Sequence, residues 1–369
     1  MTNNKLFIRN KTALNNIIFT LIILLSITQT HAAEFCINTA SALSAALVTA
    51  ANNNEDDTIK VEQGTYVTSS AVGNMIQFNY LSTKTFSLNL EGGYTNLCAS
   101  RKLNPSNTIL DGNNENRVLN IMQSDGDGTI VLEGFTIQNG NNSDFFQGGG
   151  LLIRGITNFT GEILVSNNIF RFNQSTATSS GALSIENEGN CALINNLIHD
   201  NTALSRAGTV DCNGSIIIFS QNTVTRNMSS LSDRAALHAQ GSTAALVVNN
   251  IFWGNAIRDL DVSNATTNQL LGNNIDSQEG VSGAGSANNI SVDPKFISMT
   301  NFRLAADSPS IRTGDTSSSI WNTLLPSVDL DGNQRITEGE IDMGAYQRDL
   351  SDLCVVVPVN PTGVVQFCL

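Results

Sequence analysis

The chain has 369 residues, of which 41% are hydrophobic and only 14% charged, and its formal net charge is −13. It is long enough for one large core or two small ones, and its acidity argues against nucleic acid or an anionic lipid surface as partner. Asparagine stands out at 47 residues, which in an ordered chain points to many tight turns and stacked amides.

At the N-terminus, Lys5, Arg9 and Lys11 precede an apolar run of 11 residues at 17–27, and "THAA" at 30–33 offers small residues for cleavage. This is the pattern of a secretion signal over residues 1–33, and the run is too short to span a bilayer. Its removal leaves a formal charge of −16, which also disfavours a polyanionic sugar unless basic residues cluster locally. No cysteine stands at the cleavage point, so no lipid attachment is expected. Six cysteines lie beyond the signal, which permits disulfides in an oxidising compartment. Cys36 with Cys98, and Cys354 with Cys368, are candidate staples by position; spacing alone does not fix connectivity.

Residues 34–57 read as a helical N-terminal cap, its helix over Thr39–Asn52. Leu43, Ala46, Leu47, Ala50 and Ala51 fall at i, i+3, i+4, i+7 and i+8, an apolar helical stripe. Thr39 or Ser41 is the expected N-cap.

From 58 to 297 the pattern changes to short alternating strands. "TIKVEQGTYV", "FSLNLEGGY", "NTILDG", "RVLNI" and "TIVLEGFTIQNG" each alternate and close on Gly or a turn. A stricter repeat follows: "NNIFRFN" at 167–173, "NNLIHDN" at 195–201, "QNTVTRN" at 221–227 and "NNIFWGN" at 249–255. Aligned on Asn168, Asn196, Asn222 and Asn250, the steps are 28, 26 and 28 residues, and a second asparagine follows five positions on each time. Three before the aligned Asn stand Val165, Leu193, Phe219 and Val247; five before it stand Ile163, Cys191, Ile217 and Ala245. An earlier strand in each unit places Leu151, Leu183, Val210 and Leu237 in one column and Ile153, Ile185, Cys212 and Ala239 in another. A repeat of about 27 residues built of short strands and Asn or Gly bends is a solenoid. Its coils stack about 4.8 Å apart, so roughly nine of them form a rod of about 40 Å. The four asparagines are assigned as the bends that turn the chain.

The repeat also ranks the polar residues. His199–Asp200 falls on two positions that vary among the copies, so they are expected to be solvent-facing frame positions rather than half of a catalytic site. The outward positions of the earlier strand are Leu152, Ser184, Asp211 and His238, and the next column holds Arg154, Glu186, Asn213 and Gln240. Asp211 and His238 are therefore expected to be neighbours, with Glu186 one coil away and Arg206 and Arg234 just ahead of the same strands. A carboxylate beside an imidazole can do acid–base work on a sugar, and these three are the candidate catalytic residues. The preferred reading is an ordinary polar strand face, because composition alone places such pairs. Cys191 and Cys212 fall on core positions of adjacent coils; they read as small apolar fillers, with a cross-lumen disulfide as the alternative.

Residues 298–348 read as a C-terminal cap. Within them "DLDGNQRITEGE" at 329–340 imitates a calcium loop, but Gln334 stands where the sharp turn needs glycine, so no metal is expected. With "DPKFISMTNFRLAADSPSIRTGD" at 293–315 and "DLDGNQRITEGEIDMGAYQ" at 329–347, the chain closely resembles choice-of-anchor Q domain proteins. "SALSAALVTAANNNEDDTIKVEQGTY" at 41–66 resembles the usual entry of the wider pectin-lyase-like group. The resemblance implies a secreted, all-β, right-handed parallel β-helix, mostly of undefined activity. Members often end in a surface-anchoring segment; the tail at 349–369 holds Pro358 and Pro361 and is too short to span a membrane, so no anchor is expected in it.

Enzymes with this fold would imply a polysaccharide lyase or glycoside hydrolase. Their strings G-H-G, R-I-K and D-H are missing, and the Asp56–Asp57 pair precedes the first coil. The expectation is a monomeric, secreted or envelope-associated scaffold that binds an extracellular polysaccharide or a cell-surface partner without catalysis or cofactor. A lyase or hydrolase is the alternative, and a purely structural stalk is the third.

Overall fold

Alternation of apolar and polar residues becomes four parallel sheets wound into one solenoid. A computed structural model describes residues 32–368 except 74, 144–147, 177–179, 188, 204–208, 230–234, 241–242, 257, 263–266, 278–284, 318–325, 337–338, 349–353 and 360–362, with backbone alone for the last two strands. The secretion signal, Arg206 and Arg234 fall outside the described residues. Among these residues no helix is long and apolar enough to cross a membrane.

Among the described residues sheet I has ten strands, sheet II eight, sheet III seven and sheet IV four strands of two residues each. One turn runs Leu183–Glu186 in sheet III, Asn190–Ile194 in sheet I, Leu197–His199 in sheet II and Thr202–Ala203 in sheet IV, then re-enters sheet III at Val210–Asn213. Nine strands of sheet I follow the entry strand Ala33–Ile37, one for each coil of the repeat. Ile163, Cys191, Ile217 and Ala245 stand in register, as do Leu151, Leu183, Val210 and Leu237. All are buried in one continuous core. Phe219 and Phe252 stack inside it with ring centroids 5.6 Å apart.

The bends use two residues each, and the aligned asparagine is the second. The residue before it takes the left-handed conformation: Asn167, Asn195, Gln221 and Asn249 have φ between 55 and 59°. The assignment of the turn itself to Asn168, Asn196, Asn222 and Asn250 is therefore corrected by one position. Those four are buried and form a hydrogen-bonded ladder. Each side-chain amide donates to the Oδ1 of the next coil's asparagine at 2.9–3.2 Å, continuing through Asn273 to Asn289. The same Oδ1 also accepts the preceding asparagine's backbone N–H. A second ladder joins Asn173, Asn201, Asn227 and Asn255 at the next corner, each again preceded by a positive-φ residue. Buried amides are satisfied this way without water.

The N-terminal cap sets a strand ahead of the helix expected over Thr39–Asn52. Ala33–Ile37 pairs with Asp57–Glu62, and the helix spans Ala40–Asn52, with Thr39 accepting from the Ala42 N–H at 3.2 Å. Leu43, Ala46, Leu47, Ala50 and Ala51 are its buried residues, so the stripe seals the end of the core. A Cys36–Cys98 disulfide ties the entry strand to the loop after the next coil. Cys191 and Cys212 are also bonded, between adjacent coils, which replaces their reading as apolar fillers. Cys354 and Cys368 face each other as Cα partners in a closing antiparallel hairpin; their side chains lie outside the described residues.

The C-terminal segment expected as an end cap is a clasp along the flank. Phe302, Leu330, Ala345 and Tyr346 pack on Ile169 and Leu197, and Leu304 and Met343 on Ile251. These three isoleucine and leucine positions lie on sheet II in three different coils. Fully buried Arg335 donates to the Asn195 side chain and to the Gly344 carbonyl. The calcium-like loop serves this clasp. Asp329 is buried and accepts the backbone N–H groups of Asp331, Asn333 and Gln347, while Asp331 is held by Arg303. Its carboxylates are committed to protein partners rather than turned to a common centre.

Candidate functional site

The outward face of sheet III carries the candidate chemistry. Alternation sends Leu151 and Ile153 inward, so the residues between and beyond them point away from the core. Register places Asn79, Asn120, Leu152, Ser184, Asp211, His238 and Asp261 in one column. The His238 Nδ1 lies 3.2 Å from the Asp211 Oδ1, and its Nε2 lies 4.0 Å from the Asp261 Oδ2. An imidazole thus sits between two carboxylates, one from each neighbouring coil. Asp261 was not singled out in the sequence, although one more step of the same register finds it.

The middle of this column, from Leu152 to His238, is not an open face. Asp211 and His238 are each 7% exposed, and Leu152 and Ser184 are fully covered. The expectation of an exposed Asp211–His238 pair is corrected: the pair points away from the core and is nevertheless covered. A general acid or base must reach its substrate within hydrogen-bond distance, and these side chains present no such surface.

His199 is covered too, at 8% exposure. Its ring lies 4.7 Å from that of Phe302, and its Nδ1 meets the Asp200 carboxylate at 2.6 Å. Arg226 clamps the other Asp200 oxygen and donates to the Met299 carbonyl. Burial lowers the His199 pKa, opposed by its bond to Asp200. The solvent-facing expectation for this dipeptide fails because the clasp docks on it. Of the three histidines in the chain, His31 lies outside the described residues and the other two are buried.

Glu186 stands in the next column, where the face does open. A depression of about 540 Å³ is lined by Arg154, Gly155, Glu186, Asn187, Asn213, Gly214 and Ser215. The Arg154 Nε meets the Glu186 carboxylate at 2.9 Å. Burial raises the Glu186 pKa; Arg154 opposes that shift and Asp211 adds to it. Asn187 shapes the turn by accepting from the Gly189 N–H and donating to the Gly161 carbonyl. The depression is therefore a polar cleft with a paired carboxylate, and it brings Glu186 together with Arg154 rather than with an exposed histidine.

No family model matches the chain, and neither any curated protein nor any solved structure does. The coil register and the site chemistry are thus the grounds for a functional reading.

A second hollow, of about 270 Å³, lies toward the N-terminal end of the same face. Gln77 and Asn79 come from one coil, Glu115–Asn120 from the next and Asn141–Ser143 from the turn after it. Sequence reasoning missed it, because its residues come from three separated segments and none belongs to the strict repeat.

Proposed function

We propose that the chain is an extracellular β-helical scaffold of the pectin-lyase-like kind, which holds a glycan or a glycan-bearing partner on its polar flank and does no chemistry on it. One observation carries this reading. The Asp–His pair among the candidate residues is covered, whereas the open clefts are lined by amides and by a carboxylate already paired with arginine. Side-chain amides and paired charges suit hydrogen bonding to hydroxyl groups. Two disulfides fit an oxidising compartment outside the cytoplasm, where such glycans are found.

The experiment is a glycan-array screen run beside reducing-sugar and unsaturated-product assays on the retained glycans. Retention without product is the expected result. Product formed by the wild type and lost in Glu186→Gln would replace the scaffold with a lyase or hydrolase centred on Glu186. Absence of any retention would leave a structural stalk.

A further inference from the structure

The Cys36–Cys98 disulfide stands in a different setting from Cys191–Cys212. Cys36 is exposed and Cys98 half-buried, whereas Cys191 and Cys212 are 1% and 0% exposed. Thiol–disulfide exchange needs an attacking thiolate to reach a sulfur. The first bond is therefore open to a reductant and the second is closed.

A third ligating group stands beside the open pair. The Cys36 Sγ lies 3.6 Å from the Glu62 Oε1, and the ligand atoms of Cys36, Cys98 and Glu62 all lie within 4.8 Å of one another. Tetrahedral zinc takes thiolates at about 2.3 Å and a carboxylate oxygen at about 2.1 Å, which sets sulfur and oxygen ligands about 3.6 Å apart and two sulfurs about 3.8 Å apart. The first spacing is already present. Cleavage of the S–S bond releases the two sulfurs to non-bonded contact, which is close to the second.

The frame around these residues does not depend on the S–S bond. Cys36 is held in the entry strand, in parallel register with Lys60, and Glu62 ends the strand that Lys60 belongs to. The Glu62 Oε1 accepts the Leu97 N–H at 2.6 Å, and the Thr95 carbonyl accepts the Cys98 N–H at 2.9 Å. The loop that carries Cys98 is thus tied to Glu62 by its backbone. The neighbouring Lys60 ammonium is paired with Glu34 at 2.8 Å, which offsets its repulsion of a cation. Three protein ligands leave a fourth position for water.

We propose that Cys36, Cys98 and Glu62 form a site for a thiophilic divalent ion such as zinc when the chain is reduced, so that the metal replaces the disulfide as the link between the entry strand and the loop at 95–100. A dithiol cleaves the S–S bond and leaves as its own cyclic disulfide, and the protein gains two thiols. The ion then displaces both thiol protons to solvent. This site neither needs nor serves the glycan-holding flank.

Cobalt(II), a coloured stand-in for zinc, tests it on the full purified chain after treatment with dithiothreitol and anaerobic removal of the reagent. Alkylation and mass mapping should label Cys36 and Cys98 and leave Cys191 and Cys212 unlabelled. The reduced chain is expected to give a thiolate-to-cobalt charge-transfer band that zinc abolishes. Zinc should raise the melting temperature of the reduced chain and leave that of the oxidised chain unchanged. Cys36→Ser should lose the band. Glu62→Gln, whose amide oxygen can still accept the Leu97 N–H, should bind cobalt at least tenfold more weakly. Melts without metal check that each variant is folded; should Glu62→Gln not fold, Glu62→Asp, which withdraws the carboxylate, gives the same reading. A Cys36–Cys98 bond that survives until the chain unfolds, or a reduced chain without a band, would overturn the site. A band that persists in Cys36→Ser would put the metal elsewhere, and equal affinity in the Glu62 variant would remove the carboxylate; either result would overturn the three-residue set.

Discussion

The side-chain amide of Asn196 donates to the Oδ1 of Asn222, one coil along, at 3.0 Å. It also donates to the Val165 carbonyl of the preceding coil at 2.9 Å, and its own Oδ1 accepts the Asn168 backbone N–H at 3.0 Å. One side chain thus ties three coils together through buried groups. Replacement by Leu keeps the bulk and orphans each of those partners. Asn196→Leu and Asn222→Leu are each expected to cost about 1–3 kcal/mol. The double variant should cost less than the sum, because either change already breaks the bond the two residues share. Urea unfolding measures this; an unchanged midpoint in the double variant would remove the ladder from the account of stability.

The columns of this ladder were legible in the sequence because two signals agreed. Asparagines recur at nearly fixed steps, and apolar residues alternate ahead of them, so the pattern alone stacks Val165, Leu193, Phe219 and Val247. The left-handed residues were not legible. Gln221, Phe172 and Arg226 adopt positive φ although none is a usual left-handed former; the hydrogen bonds of the following asparagine impose it. Alternation also says which side of a strand a residue takes, not what lies above it. Asp211 and His238 were therefore placed on the correct side and wrongly expected to be open. The clasp gave no local signal either, since Arg335 meets Asn195 across 140 residues of sequence.

The disulfides give a second test. Cys36–Cys98 closes a span of 62 residues and Cys191–Cys212 one of 21. A cross-link stabilises chiefly by restricting the unfolded chain, typically by about 2–4 kcal/mol. Peptide mapping of the non-reduced protein should recover both pairs, together with Cys354–Cys368, whose Cα atoms are in register. Cys36→Ser should lower the unfolding free energy within that range. Free thiols at Cys191 and Cys212 in oxidised protein would restore their reading as core fillers.

Arg335 makes the clasp separable from the solenoid. It is fully buried, its pKa is lowered to about 10 by burial, and the buried carboxylates of Asp329 and Asp342 oppose that shift. Arg335→Met leaves the Asn195 side-chain oxygen and the Gly344 carbonyl without this donor. Leaving buried acceptors unpaired costs about 1–3 kcal/mol each. The loss should be local. Hydrogen exchange should rise across 296–347 while the amides of the Asn196 and Asn222 coils stay protected. Equal loss of protection in both regions would mean that the clasp and the rod unfold as one unit.

The end of the second ladder predicts a pH dependence with an unusual sign. Asp259 is buried, and it accepts the Asn255 side-chain amide at 3.0 Å and the Ser277 N–H at 2.7 Å. Burial outweighs both bonds and pushes its pKa from 3.8 up to about 6. Between those values the folded chain holds a proton that the unfolded chain has released. The contribution of this group is therefore fully present below pH 3.8 and is lost as pH rises to about 6, by on the order of 3 kcal/mol. His199 acts in the opposite direction. Burial lowers its pKa from 6.5, so the unfolded chain protonates first and stability falls as pH drops below 6.5. The two effects are separated by Asp259→Asn, which removes only the first. Unfolding free energies of wild type and variant at pH 4, 5, 6 and 7 should diverge, with the variant gaining about 3 kcal/mol on the wild type across the range. Parallel profiles would mean that Asp259 ionises at its ordinary value and that the ladder ends on a charged group.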